Sequence, residues 1–231
     1  MSLKNKILAA AVFGAVAVQT SWALPNLQLD IAGGTYVGGT EESTLSDKSA
    51  FSLEALVLSS YLALDPSKTY YLSAAITPKT SVPLTADFGS FTINGTTYDA
   101  THGMIWGTPP VDEAQPGELT THGIYDTHYA EIAFTFAGSD LIDAYNVQDG
   151  ASGPGKINRK TFAVDASGLA EGYEVHFDLY NTKTKKGLEV VDQFAPFSHD
   201  AVSAPDAGST VALFGVALAG LGTLRRFRAR K

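Results

Sequence analysis

Cysteine is absent from the 231-residue chain, so disulfides and thiolate chemistry contribute to neither fold nor function. Positive charge is scarce in the middle: residues 24–204 carry 9 Lys or Arg against 23 Asp or Glu, a net charge of −14, whereas the whole chain is −8. Such an acidic body argues against phosphate backbones and anionic lipids as its partners, and no nucleic-acid role is expected. Helical periodicity is poor across the same stretch, no internal repeat is present, and long apolar runs occur only at the two ends.

Those ends read as addresses. Lys4 and Lys6 precede an apolar run from Ile7 to Val18, followed by Ser21, Trp22 and Ala23. This pattern predicts a secretory signal peptide over residues 1–23, cut by signal peptidase between Ala23 and Leu24. The run is about 12 residues long, short of the roughly 20 a helix needs to cross a bilayer. At the other end, Ala207 to Leu224 carries no charge and leads into Arg225, Arg226, Arg228, Arg230 and Lys231. As a helix it rises roughly 27 Å, barely enough for a hydrocarbon core, and the basic cluster places residues 24–203 outside the cytoplasm. On hydropathy alone this segment is either a plain tail anchor or a temporary one.

The body between them alternates. Tyr173, Val175, Phe177 and Leu179 fall on one face of an extended segment, with Glu174, His176 and Asp178 on the other. Ala130, Ile132, Phe134 and Phe136 repeat the pattern, as does Leu27–Ile31. Asn94-Gly95 between Phe91 and Tyr98 predicts a hairpin, since that pair tolerates positive φ at both turn positions. Residues 52–58, 69–77 and 161–164 are further strand candidates, although 54–58 also fits one or two helical turns. Clusters of Gly, Pro, Asp, Asn and Ser at 107–118 and 149–158 predict loops. Seven or more short strands in one domain predict an all-β fold, an antiparallel β-sandwich or jelly roll over residues 24–203.

Chemistry-bearing motifs are weak. Gly150 to Lys156 has the spacing of a phosphate-cradling loop, but Ile157 stands where a Ser or Thr should follow, so a flexible surface loop is the expectation. His102, His122, His128, His176 and His199 lack the spacing of a zinc hydrolase. Asp140, Asp143, Asn146 and Asp149 are the nearest set of calcium-type oxygens, without the Asp-x-Asp-x-Asp-Gly loop that would make them a known site. There is no Gly-x-Ser-x-Gly elbow. Asp112 and Glu113 are adjacent acids, read as a solvated loop rather than a glycosidase pair. Trp106, Tyr125 and Tyr129 flank a Gly- and Pro-rich stretch, which is either an aromatic sugar platform or ordinary core. Asn94-Gly95-Thr96 fits a glycosylation sequon as well as the turn.

Two resemblances add to this. Ala204-Pro205-Asp206-Ala207-Gly208, followed by the apolar segment and the arginine-rich end, resembles the sorting tails of exosortase substrates of the PEP-CTERM group, in its Val-Pro-Asp-Ser-Gly variant. Ala204 and Ala207 stand where that motif has Val and Ser. The resemblance implies recognition and cleavage near the motif by an exosortase-like membrane protease or transpeptidase. Leu24–Ile31, Ile105–Pro110, Thr121–Tyr125, Asn146–Asp149 and Phe194–Ala201 resemble the choice-of-anchor N family of secreted proteins, to which no activity or ligand is attached. Together these readings predict a non-enzymatic, exported protein of the cell envelope or matrix, needing no cofactor, held transiently or permanently by its C-terminal helix and in contact with exopolysaccharide. A carbohydrate- or calcium-dependent binding module and a secreted polysaccharide hydrolase are the rivals.

Overall fold

The computed structural model describes residues 24–38, 43–78, 85–109, 126–196 and 200–203. The signal segment, the C-terminal tail with Ala204–Gly208 and Arg225–Lys231, and Asp112, Glu113, His122, Tyr125 and His199 lie outside them. Among the described residues no helix is long and apolar enough to cross a membrane.

The body is all-β and forms two sheets. In the six-stranded sheet β1 (Leu27–Ile31) pairs with β4 (Ala50–Leu58), and β4 with β11 (Ser152–Asp165). The far edge of β11 is shared between β10 (Asp140–Tyr145) and β6 (Phe91–Ile93), with β7 (Thr96–Tyr98) beyond β6. The eight-stranded sheet is built the same way around β12 (Tyr173–Lys185). One edge of β12 carries β5 (Tyr70–Pro78), then β9 (Thr127–Phe134) and β8 (Ile105–Gly107). Its other edge is shared between β13 (Leu188–Phe194) and β14 (Asp200–Ser203), and β14 leads on to β3 (Ser43–Ser46) and β2 (Thr35–Val37). All pairings between these strands are antiparallel except β14 with β3, which is parallel and departs from the expected antiparallel scheme.

The alternation read from the sequence places the core. Leu27, Leu29, Ile31, Leu53, Ala55 and Val57 from one sheet join Leu72, Ala74, Ile76, Val175, Phe177 and Leu179 from the other in a single buried cluster. Phe51 meets Phe177 edge to face at 6.2 Å, and Phe134 meets Phe162 at 5.0 Å, each pair joining strands of the two sheets. Full burial of each large apolar side chain contributes about 1.5–3 kcal/mol, so this shared layer holds the sheets together.

Residues 54–58 are strand, because β4 is paired on both edges. A single helical turn, α1 (Ser59–Leu62), follows only after Leu58. The Asn94-Gly95 turn forms as expected, with φ of +50° and +78°. The expected loop at 149–158 is corrected: from Ser152 onward it is the first part of β11, paired with β10 through Tyr145 to Ser152 and Asp143 to Lys156. The Leu24 side chain packs directly over Gly153, so a larger residue there would displace it.

Candidate functional site

Each sheet turns one face to the shared core and one face outward, and the two outward faces carry the polar chemistry. On the six-stranded sheet the register aligns Asp30 with Glu54 and Gln28 with Leu56, and sets Arg159 opposite Leu56 and Asp140. The segment after β10 curls over this face and is fastened to β1. Gln28 donates from Nε2 to the Tyr145 carbonyl at 3.1 Å and accepts from the Val147 amide at 3.0 Å. The Tyr145 hydroxyl donates to Asp30 Oδ2 at 2.7 Å. Arg159 reaches Glu54 Oε1 and Asp140 Oδ2, both at 3.3 Å. Burial raises the Asp30 carboxyl above its usual range against the pull of the Tyr145 hydrogen bond, and raises Glu54 against the attraction of Arg159. Leu56, Ala144, Val147 and Ile157 pack as a small satellite core beneath the same cover. The result is closed and charge-compensated.

The outward face of the eight-stranded sheet differs. Register places Glu131, Ser73 and Asp178 in one row across β9, β5 and β12, with Ala133, Tyr71, Tyr180 and Phe194 in the next. Tyr71 and Tyr180 are direct cross-strand neighbours, and their rings stack at 5.2 Å with an interplanar angle of 20°. Beside them a groove of about 450 Å³ is lined by Tyr71, Glu131, Tyr180, Thr182 and the first four residues of β13. Here β13 bulges: Gln193 lies opposite Asn181 and Val191 opposite Thr182, leaving Asp192 as the extra residue.

Two carboxylates face this groove. Tyr180 is almost fully buried; that burial first, and the neighbouring Glu131 carboxylate second, push its hydroxyl well above the ordinary tyrosine range, so it stays protonated beside Glu131. Thr182 Oγ1 donates to Glu189 Oε1. Among the described residues no lysine or arginine lines the groove. Lys183 of the same hairpin is drawn instead to Asp192 at 2.6 Å, where Lys68 also binds at 2.8 Å. Burial alone would raise the Asp192 carboxyl, but the two ammonium groups outweigh it and lower it.

The residues singled out from the sequence scatter. Trp106 stands opposite His128 and Tyr129 opposite Ile105, so Trp106 and Tyr129 point to opposite faces of the sheet and cannot form one platform. Trp106 instead covers the His128 ring at 5.0 Å, and His128 packs on Phe88 from the core side. His176 lies on the outward face, with Nε2 at 3.3 Å from Asp178 Oδ1, and His102 is held by Asp99 at the surface. The three described histidines are therefore in three separate places. Asp140 goes to Arg159, Asp143 to Lys156, and Asn146 and Asp149 to backbone amides of their own turn. No group of three acids or histidines that could hold a metal ion occurs among the described residues. Lys156, the would-be phosphate lysine, is the partner of Asp143 at 2.6 Å. Ser73 shares the outward face with His176, but its buried hydroxyl makes no hydrogen bond, so no nucleophile–base contact forms there.

Sequence reasoning missed the groove, because its lining comes from four strands and only their register brings it together. The sole early signal was the outward placing of Tyr180 relative to Leu179, which alternation already required.

Comparison with known proteins bears on the tail alone. No curated protein and no solved structure matches the chain. The VPDSG-CTERM motif matches residues 205–228, and the chain carries there an exosortase-type sorting tail.

Proposed function

We propose that the β body is a non-enzymatic cargo of the cell envelope or extracellular matrix, exported behind a cleaved leader and handed over by an exosortase-like enzyme acting at the 204–208 motif. The observation that carries this reading is the sorting motif at 205–228, directly behind an acidic all-β body. The predicted signal peptide and the basic end agree in orientation, since both put residues 24–203 on the far side of the inner membrane. The likeness of the body to choice-of-anchor N proteins belongs to the same reading: a secreted body joined to an interchangeable tail. The apolar 207–224 segment then serves as a membrane anchor until processing.

The test is intact-mass measurement on protein recovered from the envelope and the medium of the native host, alongside a chain lacking 205–231. Loss of residues 1–23, a second cut near Pro205 and redistribution of the truncated chain from envelope to medium are expected. Full-length protein with both ends intact in the cytoplasm overturns the reading.

A further inference from the structure

The two outward faces pose the same problem and answer it differently. On each, a tyrosine stands beside a carboxylate: the half-buried Tyr145 donates its hydroxyl to Asp30 on one, and the buried Tyr180 neighbours Glu131 across the groove on the other. On the six-stranded sheet the neighbouring carboxylate, Glu54, is neutralised internally by Arg159. On the eight-stranded sheet Glu131 and Glu189 face one groove that no Lys or Arg lines among the described residues. The Thr182 hydroxyl occupies only one of the several acceptor sites on Glu189, and the exposed Glu131 carboxylate likewise retains lone pairs for a further donor.

From this geometry we propose that the groove binds the ammonium group of an amino-sugar polymer of the glucosamine type. The half-buried Tyr71, stacked on Tyr180, offers an aromatic surface against which the apolar C–H face of a sugar ring packs, and its π-system attracts a nearby cation. Glu131 and Glu189 supply the charge that a protonated amine requires and an acidic or N-acetylated sugar does not. A volume of about 450 Å³ lies within the roughly 300–1,000 Å³ of small-molecule sites. The surrounding body, net −14 over residues 24–204, adds long-range attraction for a polycation and repels an acidic polysaccharide. This deepens the matrix reading by naming a ligand class. The groove's chemistry is nevertheless independent of sorting, so failure to bind leaves the export reading intact, and the reverse holds.

The test uses the full-length chain in a neutral detergent, titrated by calorimetry at pH 6 with a β-1,4-glucosamine hexasaccharide, its N-acetylated counterpart and hexalysine. Binding of the glucosamine oligomer, at least tenfold weaker binding of the acetylated one, and at least a tenfold loss in Glu131→Gln and in Glu189→Gln are expected. Tyr71→Leu separates the ring from the charge and should weaken the sugar more than the peptide. Equal binding of the acetylated oligomer, unchanged affinity in both glutamine variants, equal binding of hexalysine with no effect of Tyr71→Leu, or no heat with the glucosamine oligomer each overturns the proposal. Because Glu189 sits on the exposed hairpin, its variant keeps the test meaningful even if Glu131→Gln disturbs the sheet.

Discussion

The outward face of the six-stranded sheet is closed by its own chain, whereas that of the eight-stranded sheet carries an open groove over β5, β9, β12 and β13. The ingredients are alike: tyrosine hydroxyls, carboxylates and a few aliphatic side chains. What differs is the covering segment and the counter-charge. Residues 145–147 lie across Gln28 and Asp30, and Arg159 compensates Glu54. In the groove Lys183 is pulled aside to Asp192, Glu189 accepts from the Thr182 hydroxyl, and no Lys or Arg lines the site among the described residues. A buried charge must be matched from within, while a carboxylate left at the surface can wait for a partner from outside. The first face therefore serves stability, and the second is where binding is to be sought.

The comparison breaks most visibly in the satellite core. Leu56, almost fully buried beneath the cover of the closed face, should cost about 3 kcal/mol on substitution to Ala, read as a shift in the urea midpoint. Next in size is Arg159→Met, which strands Glu54 without its cation. Removing one partner of a fully buried pair costs 3–5 kcal/mol, but Arg159 is 31% exposed, so a loss of about 2 kcal/mol is expected. Adding Glu54→Gln should restore at least half of it, and the double-mutant cycle reads the coupling directly. Absence of rescue would mean that Arg159 acts through its packing rather than its charge.

The pH dependence sharpens the same contrast. Asp30 and Glu54 bind their protons more tightly in the folded state than at their ordinary values of 3.8 and 4.5. Their contribution to stability is therefore complete below those values and is lost as pH rises through the raised ones. Asp143, Asp165 and Asp192 are lowered and act in the opposite sense, losing their contribution as pH falls through their depressed values. Asp30→Asn removes one of the first kind. Its stability relative to the parent should improve as pH rises from about 4 through the raised Asp30 value and then level off, and a difference that does not change with pH rules out the assigned burial effect.

Much of this architecture is legible in the chain. The alternation in Leu27–Ile31 and Tyr173–Tyr180 gives the correct inward faces, because a period of two leaves one choice once one side is apolar. Asn94-Gly95 gives its turn for a local reason, positive φ. The short strands β2, β3, β8 and β14 are not legible: three or four residues carry too little pattern and are defined by the neighbour they pair with. The covering of Gln28 and Asp30 is equally hidden. Alternation says that both face away from the core, but not that residues from β10 onward, more than 110 positions later, lie on top of them. The groove fails for the same reason, since Tyr71, Glu131, Tyr180 and Glu189 meet only through the registers of β5, β9, β12 and β13. The sorting tail is the opposite case: its signal is composition and order along a contiguous stretch, so it needs no fold to be read.

The smallest expected effect is the most informative about the open face. Leu188 is 69% exposed and follows a turn whose Lys186 and Gly187 have φ of +53° and +81°, so hairpin geometry fixes its position rather than packing. Leu188→Ser therefore removes little buried area and should change stability by less than about 0.5 kcal/mol. The same holds for Glu189→Gln, whose residue is exposed and pairs with no cation among the described residues. If thermal unfolding shows a loss comparable to that of Arg159→Met, the groove is part of the structural framework like the closed face, and its residues are not free to serve a ligand. If stability is unchanged, neither Leu188 nor Glu189 supports the fold, and both are free to serve a ligand.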